Sequence, residues 1–121
     1  MLSIPEVRAF VPLLKVCDIE AAIVFYEKVG FAVSNSFKPQ GEDRPLWASL
    51  TAGQVEVMLG RSDLASGERL DEFYLYCGNV EQMHAKATEC GLAPTPIRTP
   101  VFNPSGEFDV IDPDGRVIHI A

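Results

Sequence analysis

The chain is short of basic residues and of long apolar runs. Ten lysines and arginines stand against 17 aspartates and glutamates, so the net charge is −7 over 121 residues. An acidic surface repels nucleic acid phosphates and anionic lipid headgroups, which argues against nucleic acid and membrane partners. No stretch reaches the ~20 apolar residues that a membrane helix needs, and the first ten residues do not resemble an export signal.

Cysteine is also scarce. Cys17, Cys77 and Cys90 form no CxxC pair and leave an odd thiol, which argues against a disulfide framework and against a zinc knuckle. Reduced thiols are typical of the cytoplasm, which is the location we expect. With 47% hydrophobic and 22% charged residues, the composition is that of one soluble globular domain.

What the sequence does contain is an internal duplication. The segment 18–31 begins with Asp-Ile-Glu and ends with Gly-Phe, and the segment 79–92 begins with Asn-Val-Glu and ends with Gly-Leu. Near the end of each half, Gly-Gln-Val at 53–55 is matched by Gly-Arg-Val at 115–117. A unit of about 60 residues buries too little surface to be comfortably stable alone, so the two copies must share a core. We expect one domain, with module one at 8–60, a linker at 61–70 and module two at 71–121.

Hydrophobic periodicity predicts a strand, a helix and three strands in each module. In module one, Asp18 can cap a helix whose apolar face carries Ile19, Ala22, Ile23 and Tyr26, and Gly30 is a stop signal. The predicted strands are 10–16, 31–37, 46–50 and 55–59, then 73–77, a weak strand around Ile97, 108–111 and 117–120, with a second helix at 80–90. Asp-Pro-Asp-Gly at 112–115 predicts a tight turn, and the proline-rich segment 94–104 predicts a pocket wall or lid.

Several of these elements together resemble the vicinal oxygen chelate superfamily. They are Val-Pro-Leu-Leu-Lys-Val-Cys-Asp at 11–18, Phe-Tyr at 25–26, Gly-Phe at 30–31, and the 112–115 turn followed by His119. The superfamily includes glyoxalase I, extradiol dioxygenases, fosfomycin resistance enzymes and bleomycin resistance proteins. The resemblance covers the whole chain and implies an α+β fold, in which two tandem βαβββ modules form a curved, mostly antiparallel sheet around a concave cavity. Such a fold does not fix the chemistry.

Metal-binding proteins of this superfamily hold a divalent ion with His and Glu side chains from the first and last strands of each module. Counting from the helix caps and the two turn glycines, the matching positions here are Val11, Val57, Glu72 and His119. Two valines cannot donate a lone pair, and a catalytic divalent metal normally needs three or more protein ligands. We therefore expect no cofactor and no tight metal site, with Glu72 and His119 as the remaining candidates for a weak one.

Strand alternation indicates which side chains share a concave face with these positions. Aromatic rings mixed with carboxylates suit a flat, cationic or sugar-bearing ligand. The predicted ligand-binding residues are Trp47, Val57, Glu72, Tyr74, Tyr76, Asp109 and His119, and no catalytic residue is predicted. Each has a structural alternative: Trp47 could belong to the core, and Asp109 could lie on an ordinary solvated strand face together with Glu107. His84 fits a packed helix position better than a ligand, and Asp112 and Asp114 fit turn formers better than an acid–base pair.

The missing metal ligands favour one branch of the superfamily. The chain is similar to bleomycin resistance proteins in length, in acidity, in Trp47 and in the 112–115 turn. This similarity implies a homodimer that sequesters a cationic aromatic or glycopeptide antibiotic without changing it chemically. Two alternatives stay open: a divalent-metal lyase or dioxygenase of the glyoxalase type with an altered ligand set, and an accessory module whose partner is another protein.

Overall fold

The computed structural model describes residues 4–62 and 71–121, so the predicted linker lies outside the described residues from position 63 onward. Module one contains β1 (Leu13–Val16), α1 (Ile19–Lys28), β2 (Ala32–Phe37), β3 (Trp47–Ala52) and β4 (Val55–Arg61). Module two contains β5 (Phe73–Leu75), α2 (Val80–Glu89), β6 (Phe108–Ile111) and β7 (Val117–Ile120). The predicted α+β class is confirmed. The weak strand expected around Ile97 is reduced to a single bridge between Arg98 and Glu107.

The strands divide between two mixed sheets, one in each module. The first has the order β1-β4-β3-β2 and the second the order β5-β7-β6. In both sheets the first and last strands of the module pair in parallel, and the other neighbours pair antiparallel. The two modules are therefore built alike, as the duplication predicts.

Each helix begins at a side chain that caps it. The Asp18 carboxylate accepts a hydrogen bond from the backbone N–H of Ala21, and the Asn79 side chain accepts one from the N–H of Gln82. These bonds satisfy N–H groups that the first helical turn leaves without a partner. Each helix is followed by a glycine with positive φ, Gly30 and Gly91, which lets the chain leave the helix without strain. Among the described residues, α1 and α2 have ten residues each, too few for a helix that spans a bilayer.

The core lies between the helices and the inner faces of the two sheets. Alternate strand residues point into it, as expected for sheets covered on one side. The buried strand residues include Leu14, Val16, Ala48, Leu50, Val57, Leu59, Phe108, Val110, Ile118 and Ile120.

One buried polar network joins the two modules. Tyr26 on α1 donates a hydrogen bond of 2.8 Å to Oδ2 of Asp112, which also accepts one from Nη1 of Arg116. Arg116 in turn donates from Nη2 to the backbone oxygen of Lys15 at 2.8 Å. Burial raises the pKa of Tyr26 well above its ordinary 10.0, and the Asp112 carboxylate raises it further, so the phenol stays a donor. The 112–115 turn is thus confirmed, and it also ties module two to module one.

Replacing Tyr26 with phenylalanine tests this network. The change keeps the ring in the core and removes only the hydroxyl donor to the buried carboxylate, so we expect Tyr26→Phe to lower the free energy of unfolding by about 2 kcal/mol. Urea denaturation measures this value. Tyr76→Phe removes the same group from an exposed ring and should change stability by less than about 0.5 kcal/mol. Equal effects in the two variants would contradict the role given to Tyr26.

Candidate functional site

The open face of the second sheet carries a row of polar side chains. Tyr74 on β5 and Asp109 on β6 both lie opposite His119 on the central strand β7. Residues paired in this way point to the same side of a sheet. The alternate residues Phe108 and Ile118 are fully buried on the other side. The structure therefore brings together three of the residues predicted from strand alternation.

His119 is held between two carboxylates. Its Nε2 atom lies 2.8 Å from Oε1 of Glu72, and its Nδ1 atom lies 2.7 Å from Oδ1 of Asp109. Only the protonated ring donates from both nitrogens at once. Burial lowers the pKa of His119, but the hydrogen bonds and charges of Asp109 and Glu72 outweigh it, and the pKa lies above its ordinary 6.5. For the Asp109 carboxyl, burial raises the pKa, but the hydrogen bonds from Arg98 and His119 outweigh this and bring it below 3.8.

Arg98 is a member of the candidate site that the sequence did not predict. Its Nη2 atom lies 2.5 Å from Oε2 of Glu107 and 2.9 Å from Oδ1 of Asp109. Glu107 is only 1% exposed, and it also accepts weaker hydrogen bonds of 3.4 Å from Tyr74 and Asn103. A usable signal was present, because position 98 holds the only basic residue between Lys86 and Arg116. Its place in a proline-rich segment concealed this role.

We call the five charged side chains at this site the polar cluster: Glu72, Arg98, Glu107, Asp109 and His119. Three carboxylates face one guanidinium and one imidazolium, which leaves one net negative charge while His119 is protonated. Loss of that proton makes the cluster more negative. The cluster therefore favours a cation over an anion.

Aromatic rings extend the site along one edge. The ring of Tyr74 stacks on His119 with centroids 4.6 Å apart, and Tyr76 stacks on Tyr74 at 5.9 Å. Tyr76 is 80% exposed, so one face of this ladder is open to solvent. An open aromatic face next to carboxylates is suited to a planar cationic group, which gains from both stacking and charge.

The prediction that Val57 faces the concave surface was wrong. Val57 is 2% exposed, and it pairs with Leu50 on the helix-facing side of the first sheet. The prediction assumed that the fourth residue after the turn glycine faces the same side in both modules, but the two turns differ in length. The β3–β4 turn leaves two residues between the paired Ala52 and Val55, whereas the β6–β7 turn leaves five between Ile111 and Val117. Met58, which pairs with Leu13 as His119 pairs with Tyr74, is the true counterpart of His119.

Trp47 lies in the other sheet from the polar cluster. It pairs with Gly60 and points to the same side as Ser49 and Met58, opposite the buried Ala48 and Leu50. Trp47 is partly exposed, so the alternative that places it in the core does not hold. Trp47 and the polar cluster thus lie on corresponding faces of the two modules.

His84 has the packing role that the sequence favours. Its Nε2 atom lies 2.9 Å from the backbone oxygen of Thr95, and its ring packs edge-on against Phe108 with centroids 4.9 Å apart. The Thr95 hydroxyl accepts a hydrogen bond from the backbone N–H of Asp109. His84 therefore fixes the segment that leads to Arg98 and takes no direct part in the polar cluster.

A groove of about 390 Å³ runs beside the site, between residues 9–12, residues 54–57 and β5. Tyr74 reaches it, together with Phe10 and Val11. The polar cluster is only partly open to solvent: the side chains of Glu72 and Arg98 are 58% and 41% exposed, whereas Glu107 is buried beneath them. A ligand could therefore reach the outer members of the cluster directly.

The donor set does not fit the metal site of the superfamily. In the observed register the four positions are Val11, Met58, Glu72 and His119, so module one supplies neither a carboxylate nor an imidazole. A different group of metal-ligand type is present in module two. Ligand atoms of Glu107, Asp109 and His119 all lie within 4.8 Å of one another.

Comparisons with known proteins find similarity in structure alone. No family model and no curated protein matches the sequence. A bleomycin-binding protein solved in complex with bleomycin superposes with a TM-score of 0.73 at 16% identity, covering 94% of this chain and 97% of that one. A bleomycin resistance determinant encoded on transposon Tn5 gives 0.75 at 16% identity, covering 94% and 96%. The fosfomycin resistance protein FosX from Mesorhizobium loti gives 0.71 at 13% identity, covering 93% and 89%. The resemblance drawn from the sequence is confirmed at the level of the fold.

The pairing of His119 makes stability depend on pH. Because its pKa in the folded chain lies above the ordinary 6.5, the stabilisation is fully present below that value and is lost as the pH rises through the folded pKa. We expect Asp109→Asn to lower the His119 pKa measured by NMR titration. Asp43→Asn, the same charge change in an exposed loop, should leave it in place. An unchanged His119 pKa in the Asp109 variant would contradict the assignment.

Proposed function

We propose that this chain, which has the fold of the vicinal oxygen chelate superfamily, binds a cationic aromatic or glycopeptide antibiotic and sequesters it without chemical change. The observation that carries the proposal is the combination of a net negative polar cluster with an open aromatic ladder. The solved complex of a bleomycin-binding protein with bleomycin supports this ligand class for a protein of the same fold. A cytoplasmic location is part of the proposal.

The chemistry of the site suggests how such a ligand would be held. A planar aromatic group would stack on the open face of the Tyr76 ring, whose other face lies against Tyr74. A positive group on the same ligand would then meet the carboxylate of Glu72, whose side chain is 58% exposed and accessible from that side. Stacking and cation–π attraction contribute roughly 0.5–2 kcal/mol each, so tight binding needs a second wall.

We propose that a second copy of the chain provides that wall. The open face of module one carries Trp47 and Met58, and the corresponding face of module two carries the polar cluster. Residues 4–12 belong to no helix or strand, and within them Ile4, Val7 and Phe10 are 91%, 83% and 94% exposed. Apolar side chains so fully exposed favour burial against a partner. A homodimer would cover them and could enclose the site between unlike modules.

A metal-dependent enzyme of the glyoxalase or dioxygenase type is the second candidate. It is favoured by one observation, the grouping of Glu107, Asp109 and His119. Elemental analysis of protein purified without chelators separates the two functions. Near-stoichiometric metal in the wild-type protein would support the enzyme, and metal-free protein that binds the antibiotic would support sequestration.

Titration with a panel of cationic drugs that includes bleomycin tests the binding function. We expect Trp47 fluorescence and the melting temperature to change on binding, while neutral aromatic compounds bind more weakly. Glu72→Gln should reduce affinity by roughly 5- to 10-fold, since it removes one carboxylate from a charge-assisted contact. Glu27→Gln, the same change on the exposed side of α1, is the matched control. No response to any member of the panel would overturn the proposal.

The dimer is tested by sedimentation. The expected mass is twice the 13.3 kDa of one chain. Phe10→Asp should give a monomer, because it places a charge on the segment proposed to be buried. Val24→Glu places the same charge on the exposed side of α1, away from both open sheet faces, and should leave the dimer intact. A wild-type mass of one chain would rule out the shared site.

A further inference from the structure

We infer that the Arg98 guanidinium blocks a potential divalent-metal site. Glu107, Asp109 and His119 would supply the ligands of that site once the guanidinium had left. Two of these ligands differ from the positions used in the superfamily, because Glu107 immediately precedes β6 and Asp109 lies on β6. The inference does not depend on the proposed antibiotic binding, and it competes with the metal-dependent enzyme: near-stoichiometric metal in the wild-type protein would overturn it.

The guanidinium contacts each of the three groups. Its Nη2 atom lies 2.5 Å from Oε2 of Glu107, 2.9 Å from Oδ1 of Asp109 and 3.5 Å from Nδ1 of His119. One nitrogen thus holds the position that a metal ion would need in order to reach the same donors. A divalent cation could enter only after this nitrogen had left, since two cations cannot share one set of ligands.

The buried carboxylate explains why some cation must be present. Glu107 is 1% exposed, and among the described residues its charged partner is Arg98. A buried carboxylate without a compensating positive charge is strongly unfavourable. Removing the guanidinium would therefore leave a site that gains stability from any cation able to replace it.

The remaining donors suit a transition metal. One imidazole nitrogen and two carboxylate oxygens are ligands that Zn²⁺ and Ni²⁺ accept, with open positions left for water. Metal binding would release the Nδ1 proton of His119 to solvent, because only the neutral ring is a ligand. Asp109 and His119 lie on paired neighbouring strands, and their ligand atoms are already 2.7 Å apart. The site would thus need small side-chain movements and no change of fold.

The backbone around the three ligands does not depend on the Arg98 side chain. Its backbone N–H donates to the backbone oxygen of Glu107, and the N–H of Glu107 donates back to the oxygen of residue 98, both at 2.9 Å. These bonds do not involve the side chain. The Arg98 side chain is 41% exposed, so an unbranched apolar replacement can lie along the surface.

The test is a Zn²⁺ titration of the full chain by calorimetry, comparing wild type with Arg98→Met. We expect the variant to bind about one Zn²⁺ at least about 100-fold more tightly than wild type, because metal entry into the wild type must break two charge-assisted hydrogen bonds. The double variant Arg98→Met/His119→Ala, which lacks the nitrogen donor, should lose this gain. Arg98→Lys keeps a positive charge near the carboxylates and should stay close to wild type.

The outcomes decide the inference in either direction. Equal Zn²⁺ affinity in wild type and Arg98→Met would overturn it, as would a gain that survives loss of His119. If Arg98→Met is unfolded in the absence of metal, circular dichroism supplies the second measurement. Recovery of the folded spectrum with Zn²⁺ supports the inference, and a variant that stays unfolded with Zn²⁺ overturns it.

Discussion

The fold depends on one buried carboxylate, Asp112. It accepts hydrogen bonds from Tyr26 in module one and from Arg116 in module two, and Arg116 then reaches the backbone of Lys15. The same turn carries Asp114, which accepts a hydrogen bond from the N–H of Cys17 at the end of β1. Removing either charged partner would leave the other buried and uncompensated. This connection therefore holds the two sheets in their relative position.

The two modules share a backbone plan but have diverged in what they expose. The face of module one carries Trp47 and Met58, and the corresponding face of module two carries Tyr74, Asp109 and His119. A single chain thus has one aromatic and apolar surface and one charged surface. Such a division suits a site assembled from two unlike halves.

Local signals predicted the fold, and long-range contacts decided the parts of the site that were missed. The caps Asp18 and Asn79 and the strand alternation around His119 follow from neighbouring residues, so they were legible in the sequence. Val57 was misplaced because two turns of different length shift the strand register by one residue. Arg98 was missed because a long side chain on an irregular segment reaches partners nine and eleven positions away.

The burial of Glu107 also bears on how this chain could evolve. Its carboxylate is tied to Arg98, so a change at either position leaves the other mismatched. Divergent copies of the gene would be expected to alter residues 98 and 107 jointly. Joint changes at these two positions would identify homologues that retain this site even where their overall sequence identity is low.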